Sequence, residues 1–431
     1  MTNFRPISIL PTLSKMLERI VHRQILDHLT QNNLLSDCQS GFRPGFSTQD
    51  VLIHVTDSWR RAVDKSEYVG AVFLDLAKAF DCVDHSILIS KLPYYGIKSR
   101  SLLWIEHYLS DRVQRVCIEK DVSKWGQITV GVPQGSILGP LLFVLYINDL
   151  STIVKNCQAN LYADDTEIHS SSNTLDTLNS QIQQDLDSIG IWMSSNKLKV
   201  NSAKTVSMLI GPHQKIKKFS LDVSLNGDKI DSVSSTKYLG VYIDCHLNWN
   251  DHVNYILQRV RGKLAALTRL RPLTPSVISL LYKAFIVPIY DYCDAVWQPS
   301  SARLSSKIDS LHNRAMRLIA SPTCNSANLP SSPSVRRRFH VAVQAYKVLH
   351  GLCPPYLGSA LNFAIDVTQR VSKNTYRAYV PYVRTNFAKN SFYFRSTSVW
   401  NSLTLNLHAC IDIIKFKKAY KSTYMFTDND A

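Results

Sequence analysis

The 431-residue chain lacks the patterns that mark zinc modules, disulfide frameworks and membrane proteins. Its nine cysteines form no C-x-x-C pair and its thirteen histidines form no H-x-x-x-H pair, so we expect reduced thiols and no structural zinc. The most apolar run, residues 137–147, contains Gly139 and Pro140 and is shorter than the roughly 18 to 20 residues that span a bilayer. The first residues show no apolar signal segment, so an intracellular protein is expected.

Acidic residues are scarce in the second half of the chain. The whole sequence holds 49 Lys and Arg against 33 Asp and Glu, for a net charge of +16, and residues 212–431 hold 29 of the basic residues but only 12 of the acidic ones. A field of this sign attracts polyanions such as nucleic acid. Hydrophobic residues at 45% indicate a folded protein, and the length predicts about three domains.

Three acidic side chains stand at the ends of predicted strands. The short apolar run of residues 69–74 is typical of a strand buried on both faces, and it ends at Asp75. Residues 160–168 predict a β-hairpin with Asp164 and Asp165 at its turn. Because a buried carboxylate is costly without a cation, these acids are candidate Mg²⁺ ligands. An Asp-Asp pair is also common in turns that bind nothing.

Helical patterns dominate the rest of the chain. Apolar side chains at three- and four-residue steps predict a helix near the amino terminus that lies on a core, and a second one through residues 51–59. A single strand is predicted over residues 237–244 and a Ser-, Pro- and Asn-rich linker over residues 324–334. Helices are predicted over residues 253–267, which are strongly basic on one side, and over residues 276–296 and 303–320.

Seven blocks follow one another along the chain: NFRPIS at residues 3–8, QSGFRP at 39–44, FLDLAKAFD at 73–81, GVPQGSILGPLLF at 131–143, YADD at 162–165, NSAKT at 201–205 and YLGV at 238–241. In content and order they resemble the reverse transcriptases of non-LTR (LINE-type, jockey-like) retrotransposons. Residues 288–294, 311–317 and 399–403 look like the carboxyl-terminal part of jockey-type elements. The chain starts inside the first block, so we expect an amino-terminally truncated member.

The resemblance implies an α+β fold of the right-hand polymerase type, with fingers, palm and thumb and a helical, basic C-terminal region. The expected division is partial fingers at residues 1–68, palm with interleaved fingers elements at 69–248, helical thumb at 249–322 and a basic, aromatic-rich C-terminal region at 335–431.

The resemblance also implies a role for each matching residue. Asp75, Asp164 and Asp165 would hold two Mg²⁺ ions, with Mn²⁺ as an alternative, and would be catalytic. The remaining roles are these: Lys204 acts on the pyrophosphate leaving group, Arg43 pairs with the triphosphate, Phe80 blocks the 2′-hydroxyl of a ribonucleotide, Gln134 and Gly135 contact nucleotide and template, and Tyr238, Leu239 and Gly240 form the primer grip.

The implied function is an RNA-directed DNA polymerase that extends a DNA primer on an RNA template from dNTPs during retrotransposition. Its expected location is the cytoplasm and nucleus, without a membrane partner. No endonuclease pattern is found, so the nick in target DNA would come from elsewhere. Two alternatives stay open: an inactive truncated remnant that only binds nucleic acid, and a group II intron-type maturase, which the form of the block at residues 131–143 disfavours.

Four further segments are weaker candidates for nucleic-acid contact. The basic helix after Asp251 would be the thumb lying along a duplex, or an ordinary solvated helix face. Residues 336–338 and 415–418 would bind phosphates or act as nuclear-localisation clusters. The aromatic side chains between residues 376 and 394, interleaved with Arg and Lys, suit base stacking and a protein core equally well.

Overall fold

The computed structural model describes residues 7–270, 273–299, 301–319, 329–358, 361–368 and 376–425. Its chain forms two compact units: the first comprises Met1–Phe46, Gly70–Met208 and Ser220–Val233, and the second comprises Ser47–Val69, Leu209–Phe219 and Ser234–Ala431. Helices and strands both contribute, which confirms the predicted α+β class. Residues 324–328 of the predicted linker lie outside the described residues, and its last two residues belong to the helix Pro333–Leu349. The four-part division into fingers, palm, thumb and tail stays a prediction.

The elements up to Asp244 are helices α1 (Thr12–Gln31), α2 (Thr48–Asp64), α3 (His85–Lys91), α4 (Ser99–Leu109), α5 (Leu138–Ile147), α6 (Leu150–Ile153), α7 (Leu175–Ser195) and α8 (His213–Ile216), and strands β1 (Tyr68–Leu74), β2 (Val113–Gln114), β3 (Cys117–Ile118), β4 (Asp121–Val122), β5 (Gly126–Gln127), β6 (Gln158–Tyr162), β7 (Asp165–Ser172), β8 (Val206–Ile210), β9 (Ser224–Leu225), β10 (Asp228–Lys229), β11 (Asp231–Ser232), β12 (Ser235–Tyr238) and β13 (Val241–Asp244). Two short 3₁₀ helices span Ala79–Cys82 and Leu92–Tyr95.

The elements after Asp244 are helical: α9 (Asn250–Arg269), α10 (Pro275–Phe285), α11 (Val287–Asp291), α12 (Ala302–Ile319), α13 (Pro333–Leu349), α14 (Pro355–Gly358), α15 (Ala364–Thr368), α16 (Asn386–Lys389), α17 (Phe392–Asn401), α18 (Leu405–His408) and α19 (Ile413–Tyr420), followed by a π-helical turn at Lys421–Met425.

A five-stranded sheet in the order β11-β8-β1-β7-β6 is the framework of the first unit. Strand β1 lies at its centre, and all its residues from Val69 to Leu74 are buried, which confirms the strand predicted from its continuous apolar run. Strands β6 and β7 form the predicted antiparallel hairpin, in which Tyr162 pairs with Asp165. Ile182 of α7 packs against the backbone of Gly70. A Cβ at position 70 would lie 2.7 Å from the Ile182 side chain, so glycine suits this position.

Helix α5 fills the interior beside this sheet. It coincides with the most apolar run of the sequence, and nine of its ten residues are buried. It packs against α1 and α3. Its first N–H groups are capped by the carboxylate of Glu18 on α1, which is 1% exposed and accepts hydrogen bonds from Ile137 N at 2.6 Å and Leu138 N at 3.4 Å. A negative charge at this helix end is favourable because the unpaired N–H groups and the helix dipole are positive there.

Three expectations about secondary structure need correction. The amino-terminal helix buries only part of its predicted apolar stripe: Leu13, Met16, Leu17 and Ile20 are 52–79% exposed, and the buried residues of α1 are Glu18 and Leu29. The strand predicted over residues 237–244 is the hairpin β12–β13, since its two turn residues adopt positive φ. The helix predicted over residues 276–296 is two shorter helices, α10 and α11, and the second begins around Pro288.

The second unit is a helical assembly around aromatic side chains. The predicted apolar stripe of α9 is confirmed: Val253, Ile256, Leu257, Val260, Leu264 and Leu267 are all buried, and its basic side chains at 259, 261, 263 and 269 are exposed. Helix α9 packs against α12, and α13 packs against α17 and α19. The core includes Trp297, Tyr346, Trp400 and Phe416, each fully buried.

The basic and aromatic candidates of the C-terminal region have different environments. Arg336 is buried and bonded to Asp291, so it is an internal ion-pair partner. In the second basic cluster, Lys415 and Lys418 are exposed around a fully buried Phe416. Phe392 belongs to the core, whereas Tyr376 and Tyr382 are 43% and 87% exposed. Core formation is therefore the role of Phe392.

No helix among the described residues is long and apolar enough to cross a membrane. The cysteines at positions 38, 82, 117, 157, 245, 293, 353 and 410 are all free thiols.

Replacing Glu18 with alanine should destabilise the protein, because Glu18→Ala leaves two N–H groups of the buried α5 terminus without their acceptor. We expect a loss of about 2 kcal/mol in the free energy of unfolding, measured by urea denaturation. The matched control is Asp27→Ala on the same helix, since Asp27 is 61% exposed and pairs only loosely with Arg23 at 3.9 Å. That change should cost less than about 0.5 kcal/mol. Equal losses would contradict the capping role of Glu18.

Candidate active site

The carboxylate of Asp75 is held by the segment 201–205. Asn201 Nδ2 donates a hydrogen bond to Asp75 Oδ2 at 3.0 Å, and Lys204 Nζ lies 3.8 Å from the same oxygen. The backbone is fixed as well, since Asn201 N donates to Asp75 O at 2.8 Å and Asp75 N donates to Thr205 Oγ1 at 3.3 Å. The Asp75 side chain remains 34% exposed, so one face of its carboxylate is open to a ligand.

The chain direction places Asp75 and the Asp164-Asp165 turn at the same edge of the sheet. Strand β7 starts at Asp165, runs beside β1, and is followed within three residues by α7. Helix α7 has 21 residues, about 31 Å, and returns to the region of Asp75, where Lys199 O accepts a hydrogen bond from Ala77 N at 2.8 Å. Strand β7 therefore runs away from the end that carries Asp75, and its first residue lies at that end.

The turn that carries Asp164 is supported from behind by residues 39–41. Ser40 N donates to Leu161 O at 2.8 Å, and the Gln39 side-chain oxygen accepts from both Ala163 N (3.1 Å) and Gly41 N (2.7 Å). Gly41 is required for this approach, because a Cβ at that position would fall within 3.0 Å of the Ala163 and Tyr162 backbone. Asp164 is half-buried and Asp165 is exposed, so both carboxylates lie at the surface of a rigidly held turn.

Phe80 is wedged between two other rings. It lies on the 3₁₀ helix after Asp75, stacks on the buried ring of Phe143 with centroids 4.4 Å apart, and meets Phe42 edge-on at 6.2 Å. Phe80 is half-buried, so one side of the ring stays accessible. The stacking on Phe143 fixes the ring in one orientation, as a steric barrier requires.

The loop that carries Gln134 and Gly135 packs on the segment after Asp75. Val132 N donates to Phe80 O at 2.8 Å, and Gln134 Nε2 donates to Asp81 Oδ1 at 2.9 Å. Gly135 adopts φ of +105°, a conformation that favours glycine, and a Cβ there would lie 2.9 Å from Ser8 O. A cavity of about 250 Å³ adjoins this loop, and Asp81 and Gln134 contribute to its wall.

The two predicted cationic site residues, Arg43 and Lys204, have different environments. The guanidinium of Arg43 donates through Nη1 to Ser36 O at 2.6 Å and Gln39 O at 2.9 Å and lies 4.2 Å from the Phe46 ring. Arg43 therefore stabilises the loop that supports the turn carrying Asp164, and contact with a triphosphate stays a prediction. Lys204, in contrast, is 67% exposed and close to Asp75, where a mobile cation can reach a leaving phosphate.

The predicted primer-grip residues belong to the second unit, whereas all other predicted site residues belong to the first. Leu239 and Gly240 form the turn between β12 and β13, with φ of +45° and +83°. Positive φ at both positions is typical of two-residue hairpin turns. Tyr292 Oη donates to Leu239 O at 2.8 Å and covers the turn, so Gly240 leaves no room for a Cβ, which would lie 2.9 Å from the tyrosine ring.

Asp291, Asp294 and His340 form a cluster in which the possible metal-ligand atoms all lie within 4.8 Å of one another. Within the described residues, this is the one set of three His, Cys, Asp or Glu side chains that is so close. Arg336 Nε donates to both Asp291 oxygens at 2.9 and 3.2 Å, and His340 Nδ1 lies 2.7 Å from Asp294 Oδ2. Burial lowers the pKa of His340, but the hydrogen bond and charge of Asp294 outweigh it and raise the pKa. Both carboxylates thus have cationic partners, and we assign no metal here.

The ligand atoms of Asp75, Asp164 and Asp165 do not meet this 4.8 Å distance criterion. Their chemistry nevertheless fits divalent cations. All three offer only oxygen ligands, as Mg²⁺ and Mn²⁺ prefer, and they share one edge of the sheet. Asp75 already has a neutral amide donor and a distant lysine as neighbours, which leaves its second oxygen for an ion.

Comparison with known proteins decides the family. The model of the family described as "Reverse transcriptase (RNA-dependent DNA polymerase)" matches residues 1–243, more than half of the chain. The chain belongs to the reverse transcriptase family. Its fold is accordingly the right-hand polymerase fold, and the family generally uses divalent metal ions.

Curated relatives narrow the relationship to mobile elements. The chain is 32% identical over 334 residues to the "Probable RNA-directed DNA polymerase from transposon BS" of Drosophila melanogaster, a match that covers 74% of this chain and 36% of the relative. It is 28% identical over 331 residues to the "RNA-directed DNA polymerase from mobile element jockey" of the same species, again with 74% and 36% covered. The resemblance to non-LTR, jockey-like reverse transcriptases is confirmed. The chain spans about a third of the length of these relatives.

A solved structure of telomerase from Candida tropicalis with a fragment of telomeric RNA is also similar to this chain, at 12% identity and a TM-score of 0.40, over 80% of this chain and 52% of the telomerase chain.

The sequence blocks contained further site residues that the motif roles did not identify. Asn201 and Thr205 hold Asp75, and Gln39 holds the Asp164 turn, although each lies inside a block whose other members received roles. Glu18 was missed because a single acid within an apolar helical stripe resembles a surface charge. Glu18 lies on the same helix face as Leu29, eleven residues later. The structure was needed to show that this face is the buried one.

Replacing Gly41 with alanine should push residues 39–41 away from the Asp164 turn. Because the new Cβ would meet backbone atoms that cannot rotate aside, we expect Gly41→Ala to lose about 1–3 kcal/mol in the free energy of unfolding, measured by urea denaturation. The control is Gly262→Ala on helix α9, since a Cβ at position 262 would have no neighbouring atom within 4 Å. That change should stabilise the protein by up to about 1 kcal/mol. A neutral Gly41→Ala variant would contradict the close backbone contact.

Proposed function

We propose that this chain is an RNA-directed DNA polymerase, which extends a DNA primer on an RNA template from dNTPs as part of retrotransposition. The observation that carries the proposal is the placement of Asp75, Asp164 and Asp165 at one edge of the sheet, with Lys204 beside Asp75. Family membership supports it independently.

In this proposal Asp75, Asp164 and Asp165 hold two Mg²⁺ ions, with Mn²⁺ as the alternative. The ions would activate the primer hydroxyl and stabilise the leaving phosphate oxygen. The protein contributes position. Asn201 orients the Asp75 carboxylate, and the backbone contacts of Gln39 and Gly41 hold the turn that carries Asp164, so the ligands are arranged before an ion binds.

Lys204 is proposed as the group that serves the leaving pyrophosphate. Its ammonium group is mostly exposed and linked to Asp75 only at 3.8 Å, so it can move onto a phosphate without breaking a short ion pair. A proton held at Nζ would neutralise charge that develops on the leaving oxygen.

The parts of the chain outside the metal site have proposed roles in binding nucleic acid. The exposed basic residues of α9 would lie along the phosphate backbone as a thumb, and the β12–β13 turn would hold the primer end. The endonuclease that nicks target DNA is proposed to come from elsewhere, and the cytoplasm and nucleus are the proposed locations.

Removal of one metal ligand should abolish DNA synthesis without unfolding the protein. We expect Asp164→Asn to lower primer extension on an RNA template by at least about 10³-fold, because the amide cannot provide the charge that a metal ion requires. Chelation of Mg²⁺ should have the same effect on the unaltered protein. The control is Asp187→Asn, which removes the same charge from an exposed position on α7 and should leave extension unchanged.

Two outcomes of that assay would reject the polymerase proposal. One is equal extension by the protein and its Asp164→Asn variant. The other is no extension by a well-folded protein that still binds RNA in a salt-sensitive way, which would establish the binding-only remnant instead.

Shortening the side chain of Phe80 should relax discrimination against ribonucleotides. In Phe80→Ala the ring next to the proposed sugar position is lost, so the ratio of kcat/KM for rNTP to that for dNTP should rise about tenfold or more. The ratio is measured on one protein preparation, so a lower folded fraction does not affect it. Phe42→Ala is the control, because Phe42 is 49% exposed and contacts Phe80 only edge-on. An unchanged ratio in Phe80→Ala would exclude the barrier role.

A further inference from the structure

A cavity of about 600 Å³ lies in the second unit, between α12, α13, α16 and α17. Its volume falls within the roughly 300–1,000 Å³ of small-ligand sites. Four cationic side chains line it, and no carboxylate does: Arg337, Arg338, Lys389 and Arg395. Serine hydroxyl and asparagine amide groups complete the polar part of the wall. A cavity with this lining favours the binding of an anion.

Arg337 is a half-buried cation without a hydrogen-bonding partner among the described residues. Its guanidinium lies 4.3 Å from the Trp297 ring centroid, and its buried Nε atom is unsatisfied. No carboxylate of the described residues approaches it to within 4.0 Å; Asp294, whose charge acts on it, is hydrogen-bonded to His340. Burial lowers the pKa of Arg337. A cation in this position is stabilised when an anion enters the cavity.

Arg395 and its neighbours make the cavity a preformed site. Arg395 Nη2 donates to Ala295 O at 2.7 Å and Val296 O at 3.1 Å, which fixes the side chain without neutralising its charge. Burial lowers the pKa of Arg395 to about 10, so it remains protonated near neutral pH. Lys389 is exposed, and Arg338 is exposed with one weak bond from Nη2 to Ser402 Oγ at 3.1 Å. The cavity wall therefore combines two exposed cations, Arg338 and Lys389, with two half-buried ones, Arg337 and Arg395.

We propose that this cavity binds two neighbouring phosphate groups of a single-stranded nucleic acid, with an adjacent base against the ring of Phe394. Guanidinium groups are well matched to phosphate oxygens, and Phe394 and Val399 supply an apolar wall that a free anion does not need. Residues 212–431 contain 29 basic and 12 acidic residues. This excess of positive charge favours binding of a polyanion over binding of a single small anion. The site is separate from the polymerase centre, and its occupancy does not require catalysis.

The test is equilibrium binding of a fluorescein-labelled 20-nucleotide single-stranded RNA, followed by anisotropy over a series of KCl concentrations without divalent metal. The double variant Arg337→Gln, Lys389→Gln removes two cavity charges. The matched control, Arg314→Gln, Lys218→Gln, removes two charges from exposed positions of the same unit that do not line the cavity. For a single strand each phosphate contact contributes about 0.7 to the slope of log K against log salt, so the cavity pair should reduce that slope by about 1.4.

The control pair should change the slope by less than half as much, and equal changes in the two pairs would overturn the proposal. Lys389→Gln alone should reduce the slope by about 0.7; because Lys389 is exposed, this single variant decides the question if the Arg337 change impairs folding. A second arm measures thermal unfolding in sodium phosphate against NaCl at equal ionic strength. Stabilisation by free phosphate that the cavity pair abolishes, together with unchanged RNA binding, would assign the cavity to a small anion and reject the nucleic-acid site.

Discussion

The hydrogen bonds and charge around Asp75 are the interaction on which the proposed site depends. A carboxylate at the end of a strand buried on both faces cannot be solvated on all sides, and the protein does not neutralise it with a close ion pair. It provides one amide, from Asn201, and one lysine at 3.8 Å. This partial compensation leaves one carboxylate oxygen open to the proposed divalent cation, whereas a short Arg or Lys pair would compete with the ion.

The same logic separates the two clusters of acids. In the second unit Asp291 and Asp294 are close to a histidine, but Arg336 pairs with Asp291 and His340, whose pKa is raised, pairs with Asp294, so these side chains form ion pairs within the protein. At the sheet edge of the first unit the acids are less crowded and more exposed. Proximity of ligand atoms alone would favour the Asp291 cluster, and the neighbouring cations of that cluster are the reason why the proposed metal site is at the sheet edge of the first unit.

The sequence predicted the parts of the site whose conformation is determined locally. Strand β1 follows from a continuous apolar run, the β6–β7 hairpin from two strands flanking paired acids, and the stripe of α9 from its periodicity. The supporting contacts could not be predicted, because they join residues far apart in sequence: Asn201 meets Asp75 and Gln39 meets Ala163 through the tertiary fold. The exposed stripe of α1 shows the opposite failure. Periodicity identifies an apolar face, but not whether the described chain covers it.

The discontinuous second unit has a consequence for synthesis of the chain. Asp57 on α2 is buried and accepts hydrogen bonds from Phe392 N and Tyr393 N at 2.9 and 2.8 Å, more than 330 positions later. At a translation rate of about 5 to 20 residues per second, α2 leaves the ribosome roughly 17 to 67 seconds before these partners exist. This unit therefore cannot complete its core until residues 392 and 393 have been synthesised, and its earlier segments expose apolar surface to chaperones in the meantime.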